Sequence, residues 1–471
     1  MTQIGASPGE FTVLPVAPAA RRARAGSRQT QVNEALFWAL LPLILLSPLP
    51  FGSVEPFFWA VSAVYVGLAV FIYALLIARL GEDFRTRLGR LAVPAALSLA
   101  FCLALLVQLL PLGRVLGPFE IGATALTSQT ISIAPGMTLL TVLRQVTFGL
   151  LFFLLVQVLA NDGRRARFLD IVLVAILAYA VYAMVALQAG DTILGIEKWT
   201  YFGSATGTFV NRNSFATFLA FGAVIAAAQA ASHAFAAFSA GARGSRSAVL
   251  VYTLAFVILI LVGLATQSRM GVFAALAGSL VAVLLTAARG GGLRTLAVAI
   301  PLAVLGIAAG FVFYGAALFE RLGSVETDTE TRLQFYQQIL DLIGMRPWTG
   351  FGGGSFELAF PLVHQLPVSP DVTWDRGHNI YLTLWSEAGL VAGTLPILAV
   401  AWLAGLMLLR LPAAASRSGA TALVAGISAV VVAGVHSLVD FSLEIHAIAL
   451  LFVALLAVGA AAALAPVRHG A

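Results

Sequence analysis

The chain has 471 residues, of which 60% are hydrophobic and only 10% charged, against about 25% charged in an ordinary soluble domain. Apolar runs of about 20 residues recur, long enough to cross a hydrocarbon core of about 30 Å as helices, and they lack the alternation of an outer-membrane barrel. The formal net charge of +6 comes from short basic clusters between those runs, so it points to topology signals and anionic lipid rather than nucleic acid, while a lone cysteine, Cys102, excludes intrachain disulfides and cysteine metal clusters.

Residues 1–32, rich in Pro, Ala, Gly and Arg, read as a disordered cytoplasmic tail. The run from Ala35 to Phe51 contains Pro42, Pro48 and Pro50 without a small-residue cleavage site, which predicts a retained first span. Further spans are predicted near 56–79, 91–112, 139–160, 168–188, 214–238, 248–265, 271–288, 295–317, 380–409, 419–438 and 447–466. The expected fold is thus an all-α polytopic membrane protein with about twelve transmembrane helices. Residues 33–317 carry the first nine, 318–379 form a large loop, and 380–471 carry the last three.

Most of the arginines stand in alternate connections: Arg21, Arg22, Arg24 and Arg28, then Arg79, Arg85, Arg87 and Arg90, then Arg164, Arg165 and Arg167, and on to Arg468. By the positive-inside rule both termini are cytoplasmic and the large loop before the tenth span lies on the outer face. Arg114, Arg144, Lys198, Arg212, Arg269, Arg321, Arg332, Arg346 and Arg376 oppose that rule. Many acids share their face, and Arg321, Arg332 and Arg346 are expected to be paired on a wet surface.

Arg144, Arg212 and Arg269 instead abut or enter apolar runs with no acid beside them in sequence. A guanidinium at a helix centre costs about 2.5–3.5 kcal/mol on insertion scales, so one kept near a span end faces a cavity or a polar partner. Arg212 and Arg269 are therefore candidate anion binders. Snorkelling, or a structural pair with Asp440, is the alternative.

Residues 113–138 form a polar connection with Pro118 and Pro135, and 189–213 end in GTFVNRN, where a turn through Gly207 and an Asn or Ser cap is expected to open a helix whose free amides suit an anion. In the large loop, TETRLQFYQQILDLIGM (329–345) places Leu333, Tyr336, Leu340 and Ile343 at helical spacing, predicting an amphipathic helix on the membrane or under a lid. GFGGGSFE from Gly350 is no phosphate loop, because no lysine follows; its glycines are expected to permit tight turns. Trp348, Trp374 and Trp385 read as interfacial anchors without chemistry.

His378 is the strongest single candidate for chemistry, since an imidazole at a water-facing helix start can accept a proton near neutral pH. His364, His436 and His446 match no usual metal-ligand spacing, and no metal is expected. Two outward arginines can grip a diphosphate and stabilise it as a leaving group while a histidine deprotonates an attacking hydroxyl. That combination suits glycosyl transfer from a lipid-linked diphosphate.

The segments GTFVNRN, SRMG (268–271), GHNIYLTLWSEAGLVAG closing the loop, and HSLVDFSLEIH further on resemble the O-antigen ligase and O-antigen polymerase superfamily of the bacterial inner membrane. The ligase pattern of His, then Asn, Ser or Gln, nine residues, Gly, two residues, then Gly, Thr or Tyr is met by His378, Asn379 and Gly389. The last position is Ala392, with Gly393 one later. The resemblance implies a GT-C-like glycosyltransferase that takes a glycan from an undecaprenyl-diphosphate carrier to an acceptor hydroxyl, on lipid A-core or on another glycan, at the periplasmic face. It implies no cofactor, no nucleotide sugar and no catalytic metal.

By the same resemblance His378 activates the acceptor, Arg212 and Arg269 bind the diphosphate, and Asp440 orients Arg269 or the acceptor. Arg144, Arg376, Asn379 and His436 are possible secondary residues. Ligase and polymerase differ only in acceptor. A transporter should show ionisable groups at mid-membrane and repeated halves, and neither is evident. A non-catalytic subunit of an export assembly would leave Arg212, Arg269, His378 and Asp440 apart.

Overall fold

The computed structural model describes residues 18–121, 124–240, 243–290 and 325–465. Twelve helices carry the architecture of these residues: α1 Pro18–Leu46, α2 Pro56–Leu80, α3 Ala92–Val107, α4 Pro135–Val158, α5 Asp162–Gln188, α6 Arg212–Ala240, α7 Arg243–Ala265, α8 Arg269–Gly290, α9 Val325–Met345, α10 Ile380–Arg410, α11 Arg417–His436 and α12 His446–Ala463. Two small antiparallel hairpins, β1 (Phe119–Ile121) with β2 (Thr124–Leu126) and β3 (Thr192–Ile193) with β4 (Ile196–Glu197), lie in connections.

Among the described residues ten helices, α2–α8 and α10–α12, are long and apolar enough to cross a membrane, which makes this an all-α polytopic membrane protein. The expected span at 295–317, with Arg321, lies outside the described residues, as do 1–17 of the tail. Residues 18–32, expected to be irregular, belong to α1. Ala, Arg and Gln propagate a helix readily, and Gln29 anchors this one by donating to the Asp83 carbonyl at 2.7 Å.

Three spans form the centre. In α6, 94% of the most apolar window is buried, against 89% in α12, 72% in α11 and only 22% in α2. Lipid tails are as apolar as leucine, so such helices associate through close packing, which small residues allow. Gly426 of α11 and Gly459 of α12 face one another with Met407 filling the space beside them, and Gly271 of α8 sits against Ala216 of α6.

One end of the bundle gathers much of the basic charge that sequence reads as topology signal. Arg164 and Arg165 are nonetheless buried there, 4% and 2% exposed. They donate to the Val158 and Leu159 carbonyls at 2.7 Å, closing the end of α4 onto the start of α5. Arg289 ties α8 to the Ala414 carbonyl. The other end gathers the starts of α4, α6, α8, α10 and α12, and it carries the polar residues of interest.

The loop between α9 and α10 is anchored by a break in α10. Gly389 has φ 78 and ψ 165, and a side chain there would meet the Trp348 carbonyl. Helix carbonyls freed by the break are taken by the glycine-rich loop: Phe351 N–H donates to Ser386 O at 3.0 Å and Gly352 N–H to Glu387 O at 2.9 Å. Gln108 of the α3 end donates to the carbonyls of Thr349 and Glu387. Gly350, Gly352 and Gly354 all have positive φ, so the expected tight turns serve to seal this break.

Helix α9 is amphipathic, as its spacing predicts, with a rotated face. Phe335, Ile339, Leu342 and Ile343 are buried, whereas Leu333 and Leu340 are exposed. The buried stripe packs against Phe356, Phe360 and Val368 of the loop itself, a partner that periodicity alone does not name. Arg346 is not on a wet surface. It is 7% exposed, donates to the Ile131 carbonyl at 2.9 Å and lies over the Phe351 ring.

Candidate functional site

The turn between α11 and α12 and the segment before α10 run side by side. Ile380 N–H donates to Ser437 O at 3.0 Å, Asn379 Nδ2 donates to Leu438 O at 2.9 Å, the His378 ring meets Phe441 at 4.9 Å, and Arg376 Nη1 pairs with Glu444 Oε2 at 2.9 Å. These four contacts run in opposite chain directions along the two segments. Asn379 also caps α10, its Oδ1 accepting from the amides of Tyr381 and Leu382 at 3.0 and 3.1 Å.

His378 itself has φ 46, a left-handed backbone uncommon for a residue with a Cβ. Its carbonyl accepts from the Tyr336 hydroxyl at 3.0 Å, and Phe335 and Trp374 stand edge-on to its ring. Burial pushes the imidazole below its ordinary value, and the charge of Asp440 opposes that shift. Arg332 adds to the lowering, while Glu444 and Asp375 favour the charged form.

Asp440 is 1% exposed. Its Oδ2 accepts from Asn213 Nδ2 at 3.0 Å and its Oδ1 from the Ser442 hydroxyl. Asn213 stands in the first turn of α6, next to Arg212, and the expected cap there is Asn211, whose Oδ1 accepts from the amides of Asn213 and Ser214. Gly207 has φ 58 and faces the Phe215 ring, so the turn in GTFVNRN holds the helix start against its own core. Thr217, one turn on, shares a 2.6 Å hydrogen bond with His436 Nδ1 and bonds to the Asn213 carbonyl.

Arg212 Nη1 reaches Ser204 Oγ and Gln267 Oε1, each at 3.4 Å, and its guanidinium lies over the Tyr201 ring. The Lys198–Asp191 pair, its lysine buried, closes the loop that carries Tyr201 and Ser204. Arg269 is exposed at the head of α8, two residues beyond Gln267. Arg144 donates to the Glu444 carbonyl at 3.1 Å and lies over Trp59.

Asp440 is hydrogen-bonded to Asn213, its charge acts on His378, and Arg212 precedes Asn213 at the head of α6, while Gln267 brings the loop before Arg269 beside Arg212. Arg376 and Asn379 belong to the segment paired with the α11–α12 turn, and His436 lies behind Asn213. His364 and His446 are elsewhere, the first bonded to Val368 O and the second to the Ser62 hydroxyl. Sequence reasoning places Asn213 in a helix-opening turn and Tyr336 on an amphipathic helix face, gives neither these two nor Glu444 a part in the site, and treats Trp374 as an anchor. Asn213 and Glu444 do lie inside the segments that carry the resemblance.

Fold and site define a polytopic membrane protein with a buried polar group at one end of its helical bundle. Residues 254–397 match the family model of O-antigen ligase, which supports membership of the O-antigen ligase and polymerase superfamily. The matched stretch takes in Arg269, His378 and Gly389. No curated protein matches the chain. The family implies a glycosyltransferase-type enzyme acting on lipid-linked glycans in a bilayer.

Proposed function

We propose that the chain is an O-antigen ligase-type glycosyltransferase that moves a glycan from undecaprenyl diphosphate to an acceptor hydroxyl at the periplasmic face of the bacterial inner membrane. The observation that carries this reading is the hydrogen bond of Asn213 to Asp440. It joins the helix start bearing Arg212 to the carboxylate whose charge acts on His378.

In this reading His378 takes the proton of the acceptor hydroxyl as its oxygen attacks the anomeric carbon. The bond from that carbon to the diphosphate oxygen breaks, and the electron pair leaves with the carrier diphosphate. Arg212 and Arg269 hold the departing charge, which grows in the transition state. Asp440 stabilises the imidazolium that forms. A single displacement of this kind inverts the anomeric centre.

The test uses purified protein with a lipid-linked glycan donor and an acceptor. His378→Ala is expected to abolish transfer while the protein remains folded, and undiminished turnover would refute the assignment. A deletion strain discriminates the acceptor. Long glycans left on the carrier lipid identify a ligase, and single repeat units identify a polymerase.

A further inference from the structure

The pair Arg376–Glu444 lies outside the reacting group described above, and three observations give it a task. First, it closes the far end of the two paired segments: Arg376 precedes His378 by two residues and Glu444 follows Asp440 by four, so one contact ties the carriers of both groups. Second, its side chains are only 20% and 16% exposed. A pair so shielded is costly to break, because removing one partner leaves an uncompensated buried charge.

Third, the two ions depend on each other. Among the described residues the second oxygen of Glu444, Oε1, is buried and meets no hydrogen-bond partner, so Arg376 supplies the carboxylate's side-chain hydrogen bond while the nearby Arg144 acts on it through charge. Burial would lower the Arg376 guanidinium, yet the carboxylates of Glu444 and Asp375 push it above its ordinary value. Arg376 also lies over the Phe441 ring, the same ring that His378 meets edge-on. The left-handed backbone at His378 is not self-supporting, and such conformations persist only where the surroundings over-determine them.

We propose that Arg376 and Glu444 form a clasp that sets the place of the His378 ring relative to Asp440, and that both are positioning residues for the transfer reaction. The proposal rests on the reading of His378 as the base. The clasp does not touch substrate; it acts through the paired segments and through Phe441.

A double-mutant cycle on the full-length protein tests it. Arg376→Gln and Glu444→Gln are each expected to lower kcat about tenfold with KM little changed. The double variant should be no worse than the poorer single, because residues acting as a unit are non-additive. In parallel, acylation of His378 by diethyl pyrocarbonate, followed by site-resolved mass spectrometry, is expected to accelerate in all three variants as the ring loosens.

Independent losses of about a hundredfold in the double variant, or wild-type kcat in either single, would overturn the clasp. So would unchanged His378 reactivity. Where a glutamine variant fails to fold, Arg376→Lys and Glu444→Asp replace it in the same cycle with the same criteria. The reactivity measurement needs no turnover, so it still decides on the clasp if His378→Ala remains active and the functional reading fails.

Discussion

Burial of His378 among Phe335, Trp374 and Phe441 favours the neutral imidazole, the form that can accept a proton. Burial lowers the His378 pKa and Asp440 raises it, so the acid limb of kcat/KM is expected below about pH 6.5. Asp440→Asn removes a negative charge that favours the imidazolium. The limb should then move to still lower pH while the plateau rate falls, and a limb that moved upward in a pH–rate profile would contradict the geometry. Arg212→Lys keeps the charge but loses the planar fork, so it should cost about tenfold or more in kcat/KM for the diphosphate donor.

At this scale the residue types were readable from sequence, because arginines that defy a topology rule and a histidine at a helix start stand out. Their partners were not. Asp440 is expected to orient Arg269 or the acceptor, and the hydrogen bonds of its carboxylate are to Asn213 and Ser442. No periodicity or charge count reveals an amide that reaches across from another helix.

Among the elements, α10 shows why its pattern includes a glycine. Gly389 adopts φ 78 within a span and lies against the Trp348 carbonyl. Gly389→Ala should therefore destabilise by about 1–3 kcal/mol, read as a lowered Tm in detergent. The departure of Ala392 from the ligase pattern is accommodated in the same region. Ala392 is buried, and the close approach falls one residue later, where Gly393 meets the Leu384 carbonyl and the Trp385 ring.

Helix α9 carries the complementary lesson. Its period was visible and its face was not, because Phe335 and Ile339 pack on loop residues that have no period of their own. Helix existence follows from local spacing, whereas orientation follows from a tertiary partner.

For the whole molecule, the alternation of basic clusters gives a testable orientation. Cys102 is buried, so single introduced cysteines report cleanly. Trp199→Cys, at an exposed position near the site, should react with a membrane-impermeant maleimide in intact spheroplasts. Arg85→Cys, at the opposite end, should react only after lysis. The reverse pattern would invert the protein in the membrane.

The pairing of the segment before α10 with the turn before α12 also bears on how the protein is made. Membrane chains emerge from the amino end, so Arg212, Arg269 and His378 are all synthesised before the turn that carries Asp440 and Glu444. Until that last hairpin of helices arrives, His378 lacks the Phe441 ring, and Asn379 and Ile380 lack the carbonyls they bond. With His378 as the base proposed above, a chain stalled beyond α10 would be inserted with that base unsupported, and competence for transfer would come only with the last two helices.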